Sequence, residues 1–304
     1  MTTNPYFLPN VDVSNYAIRL LSDTIGTETI PIDVFEILEY IEELGITCKF
    51  TDKKFEDNSE YAITELSKDG QRRIYINSKF YGRSFQDITD ITKRRHCRFT
   101  LAHELGHCFI PAHADYLTQQ LMLDKSNLHA KKYSFTKEYE ANTFASELLI
   151  PSSTIGKIEQ YGSDFKQIVE NISKKYDTSF TATALKVVKL LKDINCICIQ
   201  FDADTKQIIQ YKYSEAFGSY KKGLFFNRDS KIYGGSVTSS LMKGNDKSYY
   251  QKYNDPKDWF PNFYGNDSAY LNEWAFKVGP SIITFLELVD TSEYALYFYS
   301  PSHS

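Results

Sequence analysis

The segment His103-Glu104-Leu105-Gly106-His107 carries the most specific chemistry in the chain. On a helix, residues four apart sit about 40° apart around the axis, so His103 and His107 can reach one metal ion. Glu104 lies one step round the helix, next to such an ion without binding it. Two imidazole ligands and an adjacent carboxylate are what metal-assisted peptide hydrolysis needs: a metal held by neutral nitrogens, and a general base for the attacking water. A third ligand has to come from elsewhere. Glu138-Tyr139-Glu140-Ala141-Asn142 offers two carboxylates at the start of a helical stripe of Ala141, Phe144, Ala145, Leu148 and Leu149. Glu138 and Asn142 share a face, so Glu138 can bind the ion while Asn142 steadies a ligand histidine. That pairing favours Glu138 over its rival Glu140, which is then expected on a solvated face.

The surrounding pattern supplies the helices. Asp90 can cap a helix running through Phe99, Leu101, Ala102, Leu105 and Phe109, and Pro111 stops it. Its apolar residues go nearly all round, which predicts a buried central helix. Gly106 costs about 1 kcal/mol against Ala in mid-helix, so a close neighbour is expected there. Pro151 ends the second helix. Upstream, residues 14–24 and 31–44 read as helices, Ile46–Phe50 as a strand, and Tyr61–Leu66 with Arg72–Asn77 as a hairpin whose edge could take an extended peptide. Residues 111–136 form a long connection that could cover the site; His113 and His129 within it could stabilise an oxyanion or touch substrate, but are read by preference as surface histidines.

The stretches Arg98–His107 and Glu138–Pro151, with Ile30–Val34 and Leu44-Gly45-Ile46 upstream, resemble the ImmA/IrrE metallopeptidases over about residues 14–190. The resemblance implies a Zn2+ site made by His103, His107 and Glu138, with Glu104 as catalytic base. It also implies an intracellular endopeptidase that cleaves or antagonises a helix-turn-helix repressor, switching on a stress, mobile-element or defence operon.

The expected fold class is α+β: a zincin-like helical and β-hairpin peptidase domain at 1–150, a helix-turn-helix-like extension at 151–193, and a mixed α+β, GAF-like sensory domain at 194–304. Within the extension, Phe165–Tyr176 and Phe180–Leu191 pair as helices with Lys174, Lys175, Lys186, Lys189 and Lys192 alongside. No base-reading set of Arg, Asn or Gln appears on the second helix, so packing is preferred to DNA reading. Past Asp193, Cys196–Asp202, Lys206–Tyr213, Ser281–Val289 and Tyr294–Tyr299 read as strands. Between them lie Trp259, Phe260, Phe263, Tyr264, Tyr270, Trp274 and Phe276, read as sheet core or as a stacking pocket for a small molecule or a nucleic-acid activator.

Bulk properties narrow the class. A formal net charge of −4 argues against wholesale nucleic-acid binding. No apolar run reaches the ~18 residues of a membrane span, so no membrane partner is expected. Residues 1–10 lack the basic and apolar regions of an export signal, and five cysteines without framework spacing suggest reduced thiols in a cytoplasm. Cys196 and Cys198 are read as pointing to opposite faces of a strand; Cys108 is read as packed away from the metal face. The basic run Lys93-Arg94-Arg95-His96-Cys97-Arg98 opposes the helix dipole, and is expected to be solvated or paired with carboxylates. Competing readings are a zinc-containing sensor or antitoxin-like partner that does not cut, and a DNA-binding regulator acting through residues 164–192.

Overall fold

The computed structural model describes residues 10–55, 60–67, 69–114, 117, 128–217, 232–244, 252–263 and 268–290. The chain is a mixed α+β protein that divides into two compact units, Met1–Gly156 with Ser173–Ser179, and Lys157–Ile172 with Phe180–Ser304.

The first unit contains α1 (Asn10–Asp23), α2 (Val34–Glu42), β1 (Ile46–Thr51), β2 (Ala62–Leu66), β3 (Arg72–Asn77), α3 (Ser78–Tyr81), α4 (Ile91–Phe109) and α5 (Leu128–Leu149). Its sheet has the order β1-β3-β2, with β1 parallel and β2 antiparallel to β3. That leaves β2 on an edge. Helix α2 starts at Val34 rather than at Pro31, because the Asp33 side chain accepts from the Phe35 N–H and fixes the cap there. Asp90 caps α4 through the Lys93 N–H at 2.8 Å. Cys97, Leu101, Ala102, Leu105 and Cys108 of α4 are buried, which makes it the central helix.

Gly106 sets the spacing of α4 and α5. A Cβ there would lie 3.1 Å from Ala141 Cα and 3.3 Å from Phe144 Cβ, so the close neighbour expected from the sequence is the backbone of α5. The basic run at the start of α4 is partly internal. Arg98 is 3% exposed and donates to Ile32 O at 2.6 Å and to the Asp177 carbonyl. Arg95 and Arg98 both pair with the Asp177 carboxylate, at 2.8 and 3.2 Å.

The second unit holds α6 (Phe165–Tyr176, as far as Ile172), α7 (Phe180–Leu190), β4 (Cys196–Asp202), β5 (Ile208–Tyr213), α8 (Val237–Met242), β6 (Lys252–Asn254), β7 (Tyr270–Val278) and β8 (Ser281–Val289). The strands form an antiparallel sheet in the order β5-β4-β8-β7-β6. One face packs Ile197, Ile199, Leu271 and Leu286 on Val237, Leu241 and Trp259. On the other, Phe165 stacks on Phe285 at 4.6 Å and Phe180 meets Phe276 at 5.5 Å. Trp259, Phe260, Phe263, Trp274 and Phe276 are buried core residues; Tyr264 and the strand expected at 294–299 lie outside the described residues.

Cys196 and Cys198 correct one expectation. Two residues apart on β4 they face the same side, since strand side chains alternate with period two, and both are buried free thiols. The lysine face of the extension is also less open than expected, since Lys186 is buried and Lys189 Nζ lies over the Tyr213 ring.

Candidate metal centre

Helices α4 and α5 bring three donors together. His103 Nε2 and His107 Nε2 are 3.2 Å apart. Glu138 sets Oε2 3.1 Å from the first and Oε1 3.5 Å from the second. Ligands about 2.0–2.1 Å from a tetrahedral zinc are separated by about 3.3–3.4 Å. The observed separations are of that size, the two to Glu138 being made by different carboxylate oxygens, and two imidazoles with one carboxylate are a donor set suited to zinc. All three ligand atoms lie within 4.8 Å of one another. The residues therefore fit a metal ion held by His103, His107 and Glu138.

The electrostatics agree with a cation site. Burial disfavours the charged form of Glu138, but hydrogen bonds from His103 and His107 outweigh it and hold the carboxyl well below the usual range. Burial likewise works against a charge on His103, while its bonds to Glu138 raise its pKa overall. A carboxylate facing two ring nitrogens is the local charge that a divalent ion would complete.

Both imidazoles are held from behind. His103 Nδ1 lies 3.0 Å from Asn142 Oδ1, the support that the i, i+4 spacing predicts. His107 Nδ1 lies 3.0 Å from His113 Nδ1, and His113 Nε2 lies 2.8 Å from Glu140 Oε2. Lys137 Nζ donates to the same oxygen at 3.0 Å. With His107 Nε2 turned to a metal, Nδ1 carries the hydrogen and donates to His113, which in turn donates to Glu140. Burial lowers the pKa of His113, so it stays neutral and able to accept.

Two expectations are thereby corrected. His113 is fully buried rather than on the surface, because the turn Pro111–His113 that follows α4 folds back beneath His107. Glu140 is 5% exposed, not solvated. It lies outside the cluster of three donors and reaches it through His113. The His129 side chain and residues 115–116 and 118–127 of the connection lie outside the described residues.

Glu104 is 6% exposed on α4. Its Oε2 accepts from Thr64 Oγ1 at 2.6 Å, leaving Oε1 for other work. Thr64 escaped the sequence reading; its only signal was an inward place on the strand facing the motif helix. Cys108 is buried, and burial pushes its thiol far above the ordinary range, so it remains an inert packing group. A cleft of about 520 Å³ is lined by His103, Glu104, His107 and Glu138 on the helices and by Ala62, Ile63 and Thr64 of β2.

No curated protein matches the chain. The solved structure of a Mycobacterium tuberculosis transcriptional regulator is similar in fold, with a TM-score of 0.55 and 13% identity over 96% of this chain and 81% of that one. Among the described residues no helix is long and apolar enough to cross a membrane. Residues 92–187, which span the histidine pair and Glu138, match the family model described as the IrrE N-terminal-like domain. That model is the one of the ImmA/IrrE metallopeptidases, and the match is confined to this segment.

Proposed function

We propose that the chain is a zinc-dependent endopeptidase with a zincin-like catalytic domain, acting in the cytoplasm on one protein partner. The partner is a helix-turn-helix repressor, whose cleavage derepresses a stress, mobile-element or defence operon. His103, His107 and Glu138 hold the ion, and Asn142 and His113 orient the imidazoles so that both Nε2 lone pairs stay available. Zinc, when bound, supplies an acidified water and a polarised scissile carbonyl. Glu104 takes the proton of the attacking water on Oε1 and passes it to the leaving amine nitrogen as the C–N bond breaks. Thr64 keeps the other carboxylate oxygen fixed. The edge position of β2 beside the cleft supports a substrate main chain laid along it as an added strand. Residues 151–193 act as a helical extension, and residues 194–304 as a GAF-like sensor for a small-molecule or nucleic-acid activator.

The observation that carries this reading is a three-donor cluster with a buried, hydrogen-bonded carboxylate one residue away in the same cleft. The test is co-expression with the transcription regulator encoded beside the protein, wild type against Glu104→Gln, with mass spectrometry of the fragments. The wild type should cut and the variant should keep its zinc without cutting. An intact partner in both would reject the peptidase and favour a regulator that binds without cleaving, a reading in keeping with the mycobacterial transcriptional regulator of similar fold.

A further inference from the structure

Lys93, His96, Thr100, His103 and His107 recur at intervals of three and four, which places them on one stripe of α4. The last four line the cleft. Lys93, one turn before His96, is exposed and has no ion-pair partner among the described residues. The proposed hydrolysis uses neither Lys93 nor His96, yet His96 is held with care. Tyr81 is 3% exposed, and its hydroxyl lies 2.6 Å from His96 Nδ1 and 3.1 Å from Thr100 Oγ1.

Thr100 is buried, and among the described residues its hydroxyl has no acceptor other than Tyr81. When Thr100 donates to Tyr81, Tyr81 donates to His96 Nδ1. A neutral imidazole that accepts at Nδ1 carries its hydrogen on Nε2, and burial lowers the pKa of His96 towards that neutral form. Tyr61 packs edge-on against the ring at 4.4 Å and 83°. The result is an imidazole, part-buried at Nδ1, on the cleft wall that offers an Nε2–H donor, one turn from an ammonium group.

We propose that His96 Nε2–H and the Lys93 ammonium form a specificity subsite for an acidic side chain, Asp or Glu, of the polypeptide bound in the cleft. The inference rests on the endopeptidase reading and adds a substrate preference to it. Seven residues of helix separate His96 from His103, about 10 Å. An extended peptide covers that in about three residues, so the acidic residue sits three or four positions from the scissile bond. Glu60 also lines the cleft and opposes this preference by one charge, which the Lys93 ammonium offsets.

The test is digestion of an equimolar synthetic peptide library by the zinc-loaded full-length chain, with cut sites and flanking residues read by mass spectrometry. Asp and Glu should be enriched about three- to tenfold at one position on one side of the cut. His96→Phe should remove most of that enrichment, and Lys93→Glu should turn it towards Lys and Arg. Cleavage without acidic enrichment, or with a basic preference in the wild type, overturns the subsite and leaves the peptidase standing. No cleavage of any peptide removes both. A second measurement does not depend on turnover: long-range 1H–15N spectra should show His96 as the Nε2–H tautomer, shifting towards a mixture in Tyr81→Phe. An Nδ1–H tautomer in the wild type overturns the proposal.

Discussion

Glu140→Gln isolates the relay behind His107. In the wild type one oxygen of Glu140 accepts from both His113 Nε2, at 2.8 Å, and Lys137 Nζ, at 3.0 Å. The three side chains are 7%, 0% and 5% exposed in the order Glu140, His113, Lys137, so water screens the pairs little. Gln has the same shape and keeps one acceptor oxygen, so no cavity opens; what is lost is the charge. A hydrogen bond to a charged group contributes about 1.5–3 kcal/mol against about 1 for a neutral one. Weakening two such bonds should destabilise the metal-free protein by about 1–3 kcal/mol. Only part of this reaches the metal, because His113 still stands between Glu140 and His107. Changes to the groups that orient a ligating imidazole cost about 10–100-fold in affinity, and Glu140, one bond further out, belongs at the lower end, about tenfold. Glu138→Ala removes a donor outright and should lose far more. Competition against a chromophoric zinc chelator on the full-length chain, with thermal unfolding with and without zinc, reads both effects. Zinc affinity equal to the wild type in Glu140→Gln would refute the relay. A loss as complete as that of Glu138→Ala would make Glu140 the ligand.

Gly106→Ala should gain about 1 kcal/mol of helix propensity and lose about 1–3 kcal/mol to overpacking, since Ala141 Cα at 3.1 Å is backbone and cannot swing aside. Because Ala141 is one turn from Glu138, zinc affinity should fall as well; a more stable variant with unchanged affinity in denaturant and zinc titrations would contradict the tight α4–α5 contact. Burial lowers the Lys212 amine to about 8 from its ordinary 10.5, so the folded chain holds fewer protons than the unfolded one between those values. Stability should rise with pH through that window, the full cost of the buried charge being present below about pH 8. Lys212→Met should flatten that rise in urea titrations at successive pH values, and an unchanged slope would remove Lys212 as its source. A fragment ending at Lys192 should aggregate, because Phe165 and Phe180 lose Phe285 and Phe276. A soluble fragment with a cooperative melt would show that α6 and α7 do not need the sheet.

The parts of the site legible in the sequence are those set by helical arithmetic. Two histidines four apart, a glutamate between them, and a glutamate four before an asparagine each state a relation within one helix, and a helix fixes such relations whatever surrounds it. Gly106 was legible for a related reason: a mid-helix glycine in an otherwise regular pattern reports a close neighbour, which is the backbone of α5. The groups that went unread depend on contacts between segments. Thr64 reaches Glu104 across 40 residues and His113 reaches Glu140 across 27, and no periodicity encodes either meeting. His113 was misread because residues after a helix-ending proline are ordinarily solvated, whereas here the turn doubles back under the ligand it follows. Glu140 was misread for the complementary reason. Its position on α5 is predictable, but its burial depends on that turn filling the space beside it. A carboxylate on a predicted helix is therefore legible as a candidate donor when its partner lies on the same helix, as Asn142 does for Glu138. It is illegible as a support when its partner arrives from a connection whose path the sequence does not set. The prediction for Glu140→Gln tests that second kind of relation, which is why it carries more information about this fold than a further substitution among the three donors.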